Sequence, residues 1–275
     1  MKAPAETTRQ DQVITIDGLM LETYRVSPQG RPNERHQGLS KPPPLQPLVM
    51  LHEGLGCAAL WRDLPTRLAA ATGRTVVAYS RYGYGQSTPF TKALTPAYMH
   101  EEALQILPKL LDHLEFSAPI LLGHSDGASI ALIHAADNRQ ISGLILEAPH
   151  VFVEDMSVQA IAAIRDVFTA TDLPQKLGRY HRDPARTFYG WNDIWLHPDF
   201  RAWDITGPLA QIHCPTLVIQ GLDDEYGSVA QVDAIAAAVS GSFQHLILPD
   251  CGHSPHRDQK DHTDNAIVAF LKTLP

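Results

Sequence analysis

Six short apolar runs constrain this chain more than any other feature. They lie at 47–51, 75–79, 119–122, 143–146, 215–219 and 244–248, and most are rich in leucine, valine or isoleucine. Segments this short, apolar at successive positions, suit strands buried on both faces, the condition of a parallel sheet. Between them lie stretches of helical length and amphipathic pattern, at about 59–72, 98–114, 127–138, 228–239 and 260–273. Strand alternating with helix predicts an α/β fold: a mostly parallel central sheet flanked by helices. Two earlier runs, 13–17 and 19–26, meet at Asp17-Gly18, a hairpin signal, and predict an antiparallel ribbon at one sheet edge, preceded by a loose polar dozen. Residues 27–47 carry six prolines and read as a surface loop.

The rhythm breaks once. Between Pro149 and Ile212 no buried-strand run occurs, while 158–169 has a helical pattern and seven aromatics follow, from Tyr180 to Trp203. This predicts a helical insertion. The expected organisation is one core domain, 1–150 and 206–275, interrupted by a helical cap at 151–205.

Charge and cysteine content narrow the function classes. With 22 Lys plus Arg against 30 Asp plus Glu, the net charge is −8. That balance argues against nucleic acid or an anionic membrane as a partner. Cys57, Cys214 and Cys251 are few, odd in number and scattered, which argues against a disulfide scaffold and for a reducing, cytoplasmic setting. No apolar leader pattern or membrane-length run is visible. A small molecule is the expected partner; the oligomeric state is not legible.

The chemistry concentrates in three places. Gly123-His124-Ser125-Asp126-Gly127 matches G-x-S-x-G, with a strand run before it and a helical stretch after it. Two glycines permit a sharp strand-to-helix turn, which leaves Ser125 at a helix N-terminus, where developing negative charge is favoured. A serine hydroxyl needs a base. His253 follows the last strand run by a short loop, where it can reach a serine at a neighbouring strand end; His256, further along, is the weaker candidate. An orienting carboxylate can come from Asp223, Asp224 or Glu225, which follow the 215–219 run. Cys251 reads as a packing residue. His253, His256 and His262 have no metal-ligand spacing, and no metal or cofactor is required.

From about Val13 to Leu274 the chain resembles the α/β-hydrolase superfamily, whose chain order is serine, acid, histidine. The resemblance implies the acid at Asp224, in a Gly-x-x-Asp loop, with Asp223 as the alternative and Glu147, at a preceding strand end, as a rarer one. It implies that the 151–205 insertion is a lid. The turn Ser80-Arg81-Tyr82-Gly83-Tyr84-Gly85-Gln86-Ser87 is similar to the family's Arg-Gly-x-Gly-x-Ser stretch, with Tyr82 in place of a glycine. It further implies an oxyanion hole made of backbone N–H groups from Asp126 and from the His52-Glu53-Gly54-Leu55 loop. Gly54 is the matching position there and Leu55 the alternative. Glu53 stands where the family has glycine, and its carboxylate is expected to turn away from the oxyanion or meet a partner.

Asp126 has two readings: a carboxylate favoured at a helix N-terminus, or an anchor for a substrate ammonium, as in hydrolases of amino-acid esters. Trp191, Trp195 and Trp203 read as lid core, with Trp191 and Trp195 as candidates for lining the substrate pocket beside Glu53. The function implied is hydrolysis of a small ester, thioester or lactone through an acyl-enzyme on Ser125. Carbon–carbon bond hydrolysis of aromatic-ring catabolism, acyl transfer to another acceptor, and a hydrolase-like ligand sensor are the alternatives.

Overall fold

The computed structural model describes residues 5–29, 45–137 and 139–275. Eight strands form one sheet: β1 (Thr7–Ile16), β2 (Leu19–Pro28), β3 (Leu48–Leu51), β4 (Val76–Tyr79), β5 (Ile120–His124), β6 (Gly143–Glu147), β7 (Thr216–Gly221) and β8 (Phe243–Leu248). Their spatial order is β1-β2-β4-β3-β5-β6-β7-β8. The β1–β2 and β2–β4 pairs are antiparallel, and every other pair is parallel.

The short apolar runs became strands because both sheet faces are covered. Leu48 and Met50 pack into one layer with Leu64, Leu68, Phe270 and Leu271, which belong to α1 (Leu64–Thr72) and α10 (Lys260–Leu271). Their neighbours Val49 and Leu51 pack into the other, with Leu110, Ile130 and Ile235. Those come from α3 (Leu107–His113), α4 (Asp126–Ala136) and α8 (Val229–Ala238). The remaining helices are α2 (Tyr98–Glu101), α5 (Asp155–Ala170), α6 (Leu173–Leu177), α7 (Pro184–Trp195) and α9 (Pro255–Asp258).

Four expectations need correction. The hairpin turns at Asp17-Gly18, but β1 begins at Thr7: the polar start is an edge strand paired with β2, not a loose arm. The 127–138 stretch is not amphipathic in context, because every residue of α4 is buried. A helix covered all round is a core helix. Gln244 and His245 of β8 are exposed, since β8 closes the sheet edge. The proline-rich loop falls largely on 30–44, outside the described residues, and its start at Ser27 and Pro28 belongs to β2.

Between β6 and β7 the chain is helical, with α5, α6 and α7 followed by two 3-10 turns. Its ends meet in a bridge between Phe152 and Asp204, and Ile205 N–H donates to the Val151 carbonyl at 2.8 Å. Strand order reverses direction where β3 and β5 lie side by side, and such a switch point opens a crevice beyond the strand C-termini. Leu51 pairs with Gly123, so the loops after β3 and β5 leave the sheet at the same level. Among the described residues no helix is long and apolar enough to cross a membrane.

Candidate active site

At the end of β5 the chain turns into α4 through Ser125, whose φ of 54° and ψ of −119° are rare for a residue with a side chain. Such strain costs about 1–3 kcal/mol and persists only where packing enforces it. Two glycines do the enforcing. A Cβ on Gly123 would stand 2.3 Å from the Gly127 carbonyl oxygen, and one on Gly127 would stand 2.0 Å from the Leu51 carbonyl oxygen. Only glycine lets α4 lie this close to β3. Ser125 N–H donates to the Glu147 carbonyl (2.9 Å), which anchors the turn to β6.

The loops after β7 and β8 are joined to each other. Asp223 N–H donates to the Cys251 carbonyl (2.9 Å), and a Cβ on Gly221 would strike that same oxygen at 2.2 Å. This contact brings His253 Nδ1 to 2.9 Å from both carboxylate oxygens of Asp224. Asp224 Oδ1 also accepts from the Tyr226 and Gly227 N–H groups (2.8 and 3.3 Å), and Oδ2 from the Gln220 amide (2.8 Å). Burial opposes ionisation of Asp224, but His253 and these donors outweigh it and bring its carboxyl down to about 2. Asp223 is exposed. The Ser125 hydroxyl and His253 Nε2 have no hydrogen-bond partner among the described residues, and both residues line one cavity of about 370 Å³. Bonds of this kind often tighten only when substrate is bound.

Glu147 and His256, the lesser candidates for acid and base, pair with each other. His256 Nδ1 lies 2.6 Å from Glu147 Oε2, and both residues are buried. Burial raises the Glu147 carboxyl, but His256 more than offsets it, so its net shift is downward. Burial pushes the Cys251 thiol up to about 12, which suits packing rather than nucleophilic attack.

The loop after β3 is held from beneath by Arg81. Its guanidinium donates to the His52 and Glu53 carbonyls (3.3 and 3.0 Å) and stands 3.8 Å from Asp126. His52 accepts the Arg81 N–H at Nε2 (3.0 Å) and donates from Nδ1 to the Glu53 carbonyl (2.8 Å). Burial, and then Arg81, lower its basicity, so this imidazole is neutral with a fixed tautomer. The backbone N–H groups of Gly54, Leu55 and Asp126 have no acceptor among the described residues. A Cβ on Gly54 would overlap the Trp191 indole at 2.0 Å, so Trp191 packs directly against this loop.

The Glu53 carboxylate folds over Gly56, where a Cβ would meet it at 2.2 Å, and its Oε2 lies 3.5 Å from His124 Nδ1. Burial opposes its ionisation, but His124 outweighs that and holds its carboxyl below the usual range. The other nitrogen of His124 donates to the His253 carbonyl (2.6 Å). Asp126 is wholly buried: Oδ1 accepts from Trp195 Nε1 (3.2 Å) and Oδ2 from the Tyr98 hydroxyl (2.8 Å). Burial raises its carboxyl, and Arg81 partly reverses the shift. Both oxygens already have a protein donor and the carboxylate is wholly buried, so a substrate ammonium would have to share or displace those donors. The helix-terminus reading fits its position, since Asp126 is the first residue of α4, although the preceding Ser125 makes no side-chain cap bond.

Glu53, Gly54, Asp126, Trp191 and Trp195 all line the same cavity, with Leu55, Ile161, Leu177 and Tyr226 among its apolar wall. Trp203 does not line it; it stacks on Phe200 within the core. Sequence reasoning missed Arg81, His124 and His150 as parts of this site. The Arg81 turn carries only a family resemblance in the sequence, and His124 is the unspecified position of the serine motif. No local signal marks His150.

The family model described as the alpha/beta hydrolase family matches residues 48–263. A proline iminopeptidase of Levilactobacillus brevis is 28% identical over 224 residues, spanning 66% of this chain and 74% of that protein. The human serine hydrolase BPHL is 28% identical over 213 residues, 72% of this chain and 69% of that protein. Among solved structures, a 2-hydroxy-6-oxo-6-phenylhexa-2,4-dienoate hydrolase from Rhodococcus superposes with a TM-score of 0.79 at 14% identity. The match covers 97% of this chain and all of that one.

Proposed function

The chain belongs to the alpha/beta hydrolase family, and from that premise we propose that it is a serine hydrolase of small-molecule esters, thioesters or lactones. One observation carries the reading: the carboxylate-bound imidazole of His253 and the strained Ser125 share one cavity at the sheet's switch point.

On this reading His253 Nε2 takes the Ser125 proton as the hydroxyl attacks the acyl carbon, and Asp224 fixes the tautomer and stabilises the imidazolium. The N–H groups of Gly54 and Asp126 receive the oxyanion, each worth roughly 3–4 kcal/mol in the transition state. His253 then protonates the leaving group and activates water against the acyl-enzyme. The helices between β6 and β7 serve as a cap, with Trp191 and Trp195 as the apolar wall. Glu53 is turned toward His124 and Gly56, which keeps its charge engaged beside the oxyanion loop.

Aminoacyl substrates are a second reading, favoured by the iminopeptidase relative and by the Glu53 and Glu225 carboxylates on the cavity wall. In that reading the Asp126 carboxylate, buried and held by Tyr98 and Trp195, is a less accessible ammonium anchor than Glu53 or Glu225. The test is a panel of p-nitrophenyl esters, lactones, aminoacyl esters and ring-cleavage dienoates, run with fluorophosphonate labelling. Ester turnover and labelling should both vanish in Ser125→Ala while the melting temperature holds. Turnover of the dienoate alone, without burst acylation, overturns the ester assignment.

A further inference from the structure

A second imidazole stands in the wall of the cavity and has no part in the proton relay described above. His150 lies just beyond β6, after a turn in which Ala148 adopts a φ of 47°. Its main chain is held on both sides. The His150 carbonyl accepts from Ser129 Oγ (2.6 Å), and the next N–H, of Val151, donates to Gln231 Oε1 (2.7 Å). The ring stands edge-on to Trp195, with centroids 5.2 Å apart, and tilted beside His253 at 5.7 Å. His150 is 2% exposed.

Neither ring nitrogen has a hydrogen-bond partner among the described residues. Nδ1 is sealed, close against Gly227, where a Cβ would lie 3.3 Å away. Nε2 is not sealed in this way, and the ring lines the cavity. Burial, reinforced by neighbouring His253, pushes the His150 imidazole down to about 3, so the ring is neutral at working pH. A neutral ring carries one proton. A buried N–H without an acceptor is rarer and costlier than a buried acceptor without a donor. The proton therefore belongs on Nε2, and the sealed nitrogen keeps the lone pair. The result is a fixed, neutral N–H donor beside the base.

We propose that His150 Nε2–H is a specificity-determining donor that binds a second, uncharged oxygen of the substrate, an ether or keto oxygen close to the scissile carbonyl. This inference rests on the serine-hydrolase reading and adds to it a substrate class: acyl compounds oxygenated near the bond that is cut. Sites built around a hydrogen bond discriminate against the analogue that lacks the acceptor, because their polar group is then left unpaired.

The experiment compares p-nitrophenyl methoxyacetate with p-nitrophenyl butyrate, which have chains of equal length and differ by oxygen in place of a methylene. The ratio of their kcat/KM values is measured in the wild type, His150→Phe and His150→Gln. Intrinsic reactivity cancels when the ratios are compared between variants. The ratio should fall about tenfold in His150→Phe, the worth of one neutral hydrogen bond, and recover in His150→Gln, which restores an N–H donor. A role exerted only through His253 would instead shift the pH profile of both esters together and leave the ratio unchanged, and that result overturns the proposal. An unchanged ratio with both esters turned over refutes His150 alone. A wild type inert to both esters and to fluorophosphonate refutes the hydrolase reading with it.

Discussion

Replacing Asp224 by asparagine probes the proton relay at its most constrained atoms. Asp224 Oδ1 faces two backbone donors, the N–H groups of Tyr226 and Gly227, while Oδ2 faces the Gln220 amide. An asparagine must place its NH2 on one side. Against the backbone it meets two donors that cannot turn. Against Gln220 it meets a single side chain, whose buried Oε1 has no partner in the wild type, though rotating its amide gives up the bond from Nε2 to the Gly227 carbonyl (3.0 Å). The oxygen therefore stays with the backbone, and the NH2 faces His253 Nδ1. Nδ1 stands 2.9 Å from both positions, so the NH2 replaces one of its two acceptors and removes the charge. Wherever the NH2 takes the contact, Nδ1 accepts, the imidazole proton moves to Nε2, and removal of the serine proton is blocked. The wrong tautomer costs about four orders of magnitude in kcat, or ~5 kcal/mol of barrier. Steady-state turnover of p-nitrophenyl acetate, with the fluorophosphonate labelling rate, measures it. Stability changes too. The Asp224 carboxyl is depressed from 3.8 to about 2, so ionisation favours the folded state by roughly 2 kcal/mol at neutral pH. That contribution is complete above the unfolded value and is lost as pH falls through the folded one. The melting gap between wild type and Asp224→Asn should therefore close in acid. Retention of a tenth of the activity by Asp224→Asn would refute this reasoning. So would an equal loss in Asp223→Asn, because the Asp223 side chain is exposed and should be replaceable within threefold.

Two further substitutions test the supports of the site. Arg81→Met removes a buried guanidinium from the His52 and Glu53 carbonyls and from Asp126, and should destabilise the fold by about 3–5 kcal/mol. The Asp126 carboxyl, already raised by burial, rises further in this variant, so its uncompensated charge weakens the fold more as pH increases. Thermal melts should show the Arg81→Met defect growing as pH rises above the ordinary carboxylate range of about 4, and a pH-independent gap would contradict the pairing. Gly127→Ala puts a Cβ 2.0 Å from the Leu51 carbonyl oxygen, so α4 must move off β3. Fluorophosphonate labelling should slow more than tenfold, with a loss of roughly 1–3 kcal/mol in stability; unchanged labelling would mean that the turn at Ser125 does not depend on that contact.

The parallel sheet was legible because a strand covered on both faces must be apolar at successive positions, and the shortness of these runs and the helical stretches between them separate them from a buried helix. The Ser125 turn was legible because its steric demand selects glycine at two fixed positions, 123 and 127. The extent of β1 was not, since Arg9, Gln10 and Asp11 are exposed on an edge ribbon and read as a tail. The surroundings of α4 were not, because an all-buried helix and an amphipathic one differ only in what covers the second face. Least legible was the polar layer under the site. Arg81, His124, Glu147 and His256 belong to residue types that usually face water, and only the convergence of loops from β4, β5, β6 and β8 buries them together. Asp126 shows the same limit from the other side. Its position beside the serine was plain, but the direction of its side chain depends on Tyr98 and Trp195, distant in the chain.

That polar layer has a physical rationale. The proposed reaction needs groups from four loops, after β3, β5, β7 and β8, fixed relative to one another, and apolar contact resists sliding poorly because it has no directional preference. Hydrogen bonds do have one. His124 ties the end of β5 to the His253 carbonyl, Arg81 ties the β4 turn to the loop after β3, and His256 ties the last loop to Glu147 of β6. Gln220 and Ser129 do the same for Asp224 and His150. Each bond adds only about 1 kcal/mol net to stability, yet breaking one strands a buried partner at a cost of about 1–3 kcal/mol. The asymmetry makes the layer a weak source of stability and a strong source of uniqueness, since every displaced arrangement leaves some member unpaired. A loop bearing the base can then stay in register with a loop bearing an oxyanion donor, although the two share no strand pairing. The strain held at Ser125 and Ala148 is consistent with this, because positive φ persists only where the surroundings over-determine it.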